Sequence, residues 1–269
     1  MNDFFINKVR NLRKRLSSSK AEDPVQRLEE KLRNKNLNFK FAPITEKEVL
    51  KIMKKMKKSG ASGLDGISTE TIRPITKVLA PDLTKIINRS MQEGVFPKIY
   101  KCARITCIYK GKGSKNEMAN YRPISNLPVF GKVLEIAVNI QLQRFCEQHE
   151  LFGSHQHGFC SARSTNTALL TALTKWREHK EKKVYQGVLL FDLSAAYDML
   201  NMDLFLKKAS ICGIKGTELK WLQSYLSDRS QVVAIGEELS EVVKLEEGTP
   251  QGSSCSCTLF ALFVGDAGL

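Results

Sequence analysis

No stretch of this 269-residue chain approaches the ~20 consecutive apolar residues that a membrane-spanning helix needs. The first residues, Met1 to Leu16, are charged throughout and contain no apolar core, which is not the pattern of a secretory signal. Internal repeats and long low-complexity tracts are absent, so solenoid and fibrous architectures drop out. Seven cysteines are present, but none form a C-x-x-C pair. Only Cys255 and Cys257 stand close together, and no His lies near them, so a zinc site has no support. The odd count in such a chain points to reduced thiols that mostly act as small buried apolar groups. These absences predict an intracellular protein, in the nucleus, the cytoplasm or both, with no membrane partner.

The hydrophobic fraction of 42% and the charged fraction of 26% are ordinary for a globular chain, enough for one sizeable core or two small ones. The charge balance is not ordinary. A formal net charge of +14 favours a polyanionic partner, because lysines and arginines that neutralise phosphates release counterions. A basic surface kept for solubility is the plainer alternative. The excess is concentrated at the front, where residues 1–60 hold 17 Lys and Arg against 7 Asp and Glu.

Residues 1–40 read as a basic, helix-prone extension. Ser17–Ser19 suits a break, and Val25, Leu28 and Leu32 are spaced for one amphipathic helix within Pro24–Asn36. Thr45 and Glu48 form a T-x-x-E capping box ahead of a helix with a Val49, Ile52, Met53, Met56 stripe and lysines elsewhere. Gly60, Gly63 and Gly66 then open a loop. Helices are predicted at Ser68–Arg73 and Asp82–Gln92, the latter stopped by Gly94, and a strand at Ala103–Tyr109. Val129–His149 and Thr165–Lys180 read as amphipathic helices. Tyr185–Leu193, with Val188, Leu189, Leu190 and Phe191 in succession, reads as a strand buried on both faces. Further helices are predicted at Asn201–Ile211 and Gly216–Leu226, with a hairpin pair at Gln231–Ile235 and Val242–Leu245.

Three segments carry chemistry. The first is Phe191-Asp192-Leu193-Ser194-Ala195-Ala196-Tyr197-Asp198. A carboxylate at a strand end is costly unless it meets a cation or a donor, and Mg²⁺ favours one or two carboxylates plus substrate phosphates. Asp192 thus reads as a metal ligand, with the Leu193 carbonyl as a second oxygen; taken alone it reads more readily as a helix N-cap. The second is Glu247-Gly248-Thr249-Pro250-Gln251-Gly252-Ser253-Ser254, whose Pro and glycines suit a close approach of backbone to ligand. The third is Asn120-Tyr121-Arg122-Pro123-Ile124-Ser125, following the basic turn Lys110-Gly111-Lys112-Gly113, where Lys and Arg can clamp a triphosphate or simply face water.

In their order along the chain these pieces resemble the reverse transcriptases of non-LTR (LINE-type) retrotransposons. The matching blocks are Gly60–Ile67, Arg104–Gly113, Asn120–Leu127, Gln156–Phe159 through Arg163–Thr165, Phe191–Asp198 and Gly248–Ser254, covering roughly residues 40 to 269. The resemblance implies an α+β fold: a right-hand polymerase fingers subdomain joined to a partial palm. It divides the chain into the extension (1–40), a fingers-like region (41–180) and part of a palm (181–269). It implies RNA-directed DNA synthesis on an RNA template and DNA primer from deoxynucleoside triphosphates, with Mg²⁺ or Mn²⁺ held at Asp192 and Leu193 in a two-ion centre. Lys110 and Arg122 would touch the triphosphate, Tyr197 would exclude a 2′-hydroxyl, and Gln251 and Gly252 would line the nascent base pair. Lys112 and Arg163 would contact template. The family's next block, a Tyr-x-Asp-Asp hairpin, is not in this sequence, which contains no Asp-Asp pair. Ser254–Cys257 also departs from the bulkier, proline-containing run expected there. The expectation is therefore a polymerase domain inactive as these 269 residues, the alternative being a non-catalytic nucleic-acid-binding remnant.

Overall fold

The computed structural model describes residues 1–16, 24–193, 195–245, 248–250 and 252–266. Helices α1 (Asn2–Leu16), α2 (Pro24–Leu32), α3 (Glu46–Lys55), α4 (Thr69–Ile72) and α5 (Thr76–Glu93) precede a hairpin of β1 (Cys102–Tyr109) and β2 (Tyr121–Asn126). Then follow α6 (Val129–Gln148), α7 (Thr165–Glu181), α8 (Met202–Ile211), α9 (Gly216–Leu226), β3 (Ser230–Ile235), β4 (Glu238–Leu239), β5 (Val243–Lys244) and α10 (Ser254–Phe263). The architecture is α+β. Ser17–Ser19 lies outside the described residues.

Local signals explain most element boundaries. At the start of α3 the Glu48 amide donates to the Thr45 hydroxyl (3.4 Å), and the Thr45 amide donates back to the Glu48 carboxylate (2.8 Å). Val49, Ile52 and Met53 are buried while the lysines of this helix face water, so one apolar stripe fixes its orientation. Helix α5 ends at Gly94 with φ +66°, where a Cβ would lie 2.7 Å from the Thr217 carbonyl, so a side chain has no room there. It starts earlier than expected, at Thr76, and carries Pro81 inside.

The sheet is ordered β2-β1-β3-β4, with β5 also paired to β3. β1 and β2 are antiparallel, and β1 runs parallel to β3 with Cys102 opposite Ser230 and Thr106 opposite Ala234. This pairing attaches the basic hairpin to the distal part of the chain. Helix α6 is a central helix rather than an amphipathic one. Val133, Leu134, Ala137, Val138 and Leu142 are buried, and so is Glu135, because α3, α5 and α10 pack around it. Beside it, Trp221 and Tyr225 stack at 5.4 Å with Phe96 edge-on to both, and the Trp221 indole donates to the Ser90 hydroxyl at 2.9 Å.

Two expectations need correction. Tyr185–Leu193 is not a buried strand: Leu190 is 93% and Phe191 87% exposed, and no described strand pairs with the segment. β-rich side chains do not make a strand without a neighbouring ladder to take their N–H and C=O groups. Helix α7 forms as expected, started by Ser164 and Thr167, but buries none of its residues; Leu169, Leu170, Leu173 and Trp176 are exposed.

Candidate active site

Lys110 sits where β1 leaves the sheet. Its amide donates to the Asn120 carbonyl (2.8 Å) and its ammonium to the Ala119 carbonyl (2.6 Å), which closes the basic turn. Tyr109 and Tyr121 face each other in register with rings 5.6 Å apart, stiffening the hairpin base. One residue on, Arg122 is exposed opposite Ile108, and Ser125 is buried toward the sheet's far end. Lys112 projects from the turn into water.

Two segments that lie far apart in sequence meet beside this hairpin. The Thr249 amide donates to the Tyr197 carbonyl at 2.9 Å. Gly248 has φ +90°, and a Cβ on it would lie 2.8 Å from the Asp198 carbonyl oxygen. Only glycine permits both that conformation and that approach. Gly252, at φ +106°, passes close to the Ser125 carbonyl, so the same loop also touches β2. Below the loop, Ser253 caps α10 and donates to the buried Glu135 carboxylate (2.9 Å), while Tyr225 shares a 2.5 Å hydrogen bond with the Ser253 hydroxyl. Burial pushes the Glu135 carboxyl up, opposed by the nearby Arg229 guanidinium. This network fixes the loop to α6 and α9.

Between hairpin and loops lies a cavity of about 260 Å³. Lys110, Arg122 and Pro123 wall one side, and Ala195, Asp198, Thr249 and Pro250 another. Phe4, Phe5, Lys8 and Val9 of α1 close a third. Burial pushes the Asp198 carboxyl up to about 6, with Lys8 opposing.

Several expected site residues lie elsewhere. Asp192 and Leu193 are exposed on the unpaired segment, and no described helix starts at Asp192. Tyr197 rests on α10, its ring 5.4 Å from Phe260 and its hydroxyl 3.5 Å from the Cys257 sulfur; burial pushes its phenol up. Arg163 donates to the carbonyls of Gly153, Ser154 and Gln156, which organises the loop before α7. Gln251 lies outside the described residues.

Comparison with known proteins is decisive for the family. The profile of "Reverse transcriptase (RNA-dependent DNA polymerase)" matches residues 110–268, more than half of the chain. The chain belongs to the reverse transcriptase family. It is 30% identical over 225 residues, 83% of its length, to the "RNA-directed DNA polymerase from mobile element jockey" of Drosophila funebris. It is 27% identical over 230 residues to the jockey protein of Drosophila melanogaster, and 25% over 233 to the "Probable RNA-directed DNA polymerase from transposon X-element" of that fly, covering 86% of this chain in each case. The chain spans about a quarter of the length of these relatives.

For this reverse transcriptase chain, the donor set falls short of a two-ion centre. Such a centre takes several carboxylates, of which the sequence-predicted set, Asp192 with the Leu193 carbonyl, supplies one. No group of three His, Cys, Asp or Glu able to hold a metal occurs among the described residues. All seven cysteines are free thiols, with Cys146, Cys212 and Cys255 buried. No described helix is long and apolar enough to cross a membrane. Sequence reasoning passed over Asp198, Thr249 and the α1 side chains at the cavity. The spacing Phe5, Val9, Leu12 is the signal that finds α1, since it marks an apolar stripe within a charged segment.

Proposed function

We propose that this chain is the fingers (41–180) and part of the palm (181–269) of an RNA-directed DNA polymerase of a non-LTR retrotransposon, with the 260 Å³ cavity as its nucleotide cleft. The observation that carries the reading is convergence. Lys110 and Arg122, the Ala195–Asp198 turn and the Thr249–Pro250 loop come from three separate stretches of sequence and wall one cavity. Lys110 and Arg122 supply cationic donors for a triphosphate, a role that suits phosphoryl transfer, where positioning and charge neutralisation dominate. By the family resemblance Tyr197 would exclude a 2′-hydroxyl, Gln251 and Gly252 would line the nascent base pair, and Lys112 and Arg163 would contact the template. Asp192 would be the catalytic carboxylate and, with the Leu193 carbonyl, would hold Mg²⁺ or Mn²⁺ only together with further acids. RNA template, DNA primer and deoxynucleoside triphosphates are the partners, and the nucleus, the cytoplasm or both the compartment. No observation favours a non-catalytic remnant.

Primer extension on an RNA template tests this. The protein is the chain fused after residue 266 to the segment that follows the matching region in the jockey polymerase. Extension that disappears on Asp192→Asn supports the proposal. A fusion that extends equally well with Asp192→Asn places the catalytic acid elsewhere.

A further inference from the structure

We propose that helix α1 is an intramolecular occupant of the nucleotide cleft and must leave before a deoxynucleoside triphosphate enters; this rests on the cleft reading above. The helix lies against the same cavity that Lys110, Arg122, Thr249 and Pro250 wall, presenting Phe4, Phe5 and Val9 to it. Its docking is specific at one end. Asn2 is buried, its amide donates to the Ser240 hydroxyl and the Glu241 carbonyl (both 3.3 Å), and it accepts from the Gln231 side chain at 2.7 Å. These partners belong to β3 and the turn before β5, so the contact spans nearly the whole chain.

The charge of α1 weakens its hold there, because like charges repel. Lys8 and Arg10 line a cavity whose other cationic residues, Lys110 and Arg122, are those that would meet phosphates. Lys8 also faces the carboxyl of Asp198. Docked α1 closes the side of the cleft beside Lys110 and Arg122 and leaves a cavity of about 260 Å³ there; its withdrawal opens that side.

The docking is also incomplete, which makes it reversible. Phe4, Phe5, Ile6 and Val9 are only half-buried, and a cavity remains between the helix and the cleft wall. Native cores leave few voids of this size, so α1 is held less tightly than the helices around Trp221. Apparent affinity falls in proportion to the fraction of molecules with an open cleft; a helix docked in about nine molecules of ten weakens nucleotide binding about tenfold.

Equilibrium binding of a fluorescent deoxynucleoside triphosphate with Mn²⁺, followed by anisotropy, tests this. Four proteins are compared: the full chain, the chain lacking residues 1–16, the full-length Phe4→Ala variant, and the shortened chain with Arg122→Ala. The expected result is binding about tenfold tighter after removal of α1. Phe4→Ala, which keeps the helix and its Asn2 anchor but removes an apolar contact without adding charge, should move affinity in the same direction and guards against misfolding of the shortened chain. Arg122→Ala should cancel the gain. Equal affinity of the full chain, the shortened chain and Phe4→Ala overturns the proposal. If that equal binding still depends on Arg122, the helix inference fails while the cleft reading survives. If none of them binds, both fail.

Discussion

Replacing Asp198 by Asn removes a carboxyl that the fold keeps largely out of water beside the cleft. An unfolded Asp titrates near 3.9, while burial pushes Asp198 up to about 6. A raised carboxyl means the fold prefers the protonated form. Its contribution is fully present below about pH 4 and is lost as pH rises through 6. A gap of about two pH units, at about 1.4 kcal/mol each, puts that loss at about 3 kcal/mol. Partial contact with water makes this a ceiling. Asp198→Asn should therefore be more stable than the parent by about 1–3 kcal/mol at pH 7.5, with the advantage shrinking toward zero at pH 4. Urea unfolding midpoints of both proteins at the two pH values measure the difference, and every other titrating group cancels between them. An advantage of the same size at both pH values would refute the reasoning, because an uncharged packing effect does not depend on pH.

Gly248→Ala should cost about 1–3 kcal/mol, since Ala at φ +90° is strained and its methyl would lie 2.8 Å from the Asp198 carbonyl. An unchanged denaturant midpoint would show that the two loops do not meet as described. Binding to RNA–DNA duplex should be salt-sensitive and indifferent to sequence, and neutralising Lys51, Lys54 and Lys55 to Gln should lower the slope of log K against log salt by about 0.9 for each phosphate that one of these lysines neutralises. An unaltered slope would make those lysines merely solvated. Residues 1–269 alone should not extend a primer, because they contain no second acidic motif; extension by them would move the active site. In the fused polymerase, Tyr197→Ala should admit ribonucleotides, read as incorporation on a sequencing gel, and unchanged discrimination would remove Tyr197 from the sugar gate.

Local chemistry was legible in the sequence. The Thr45–Glu48 box, the Gly94 stop and the apolar stripe of α3 each depend on neighbours within a turn or two, and the structure has all three. The parallel pairing of β1 with β3 was not legible, because nothing local specifies which distant strand fills a ladder. Tyr185–Leu193 failed for the same reason in reverse: its side chains favour a strand, yet no described strand offers it a partner. Lys110 and Arg122, which stand out in the sequence by charge and position around a turn, both line the cavity. Nothing local in the sequence separates Asp198 from Asp192, and only the fold shows that Asp198 lines the cavity. Residues 1–16 read as part of a basic, helix-prone extension because their apolar residues are few, although the spacing of these makes a face.

The claim that the cleft walled by Lys110, Arg122, Thr249 and Pro250 takes a deoxynucleoside triphosphate is tested most directly by photoaffinity labelling. The chain, with and without residues 1–16, is irradiated with an azido-substituted deoxynucleoside triphosphate and Mn²⁺, and the labelled peptides are mapped by mass spectrometry. The predicted result is label within 109–126, 195–200 or 248–253, competed by unlabelled nucleotide and stronger without α1. Label confined to other peptides, such as 165–181, or label that unlabelled nucleotide does not displace, would contradict it.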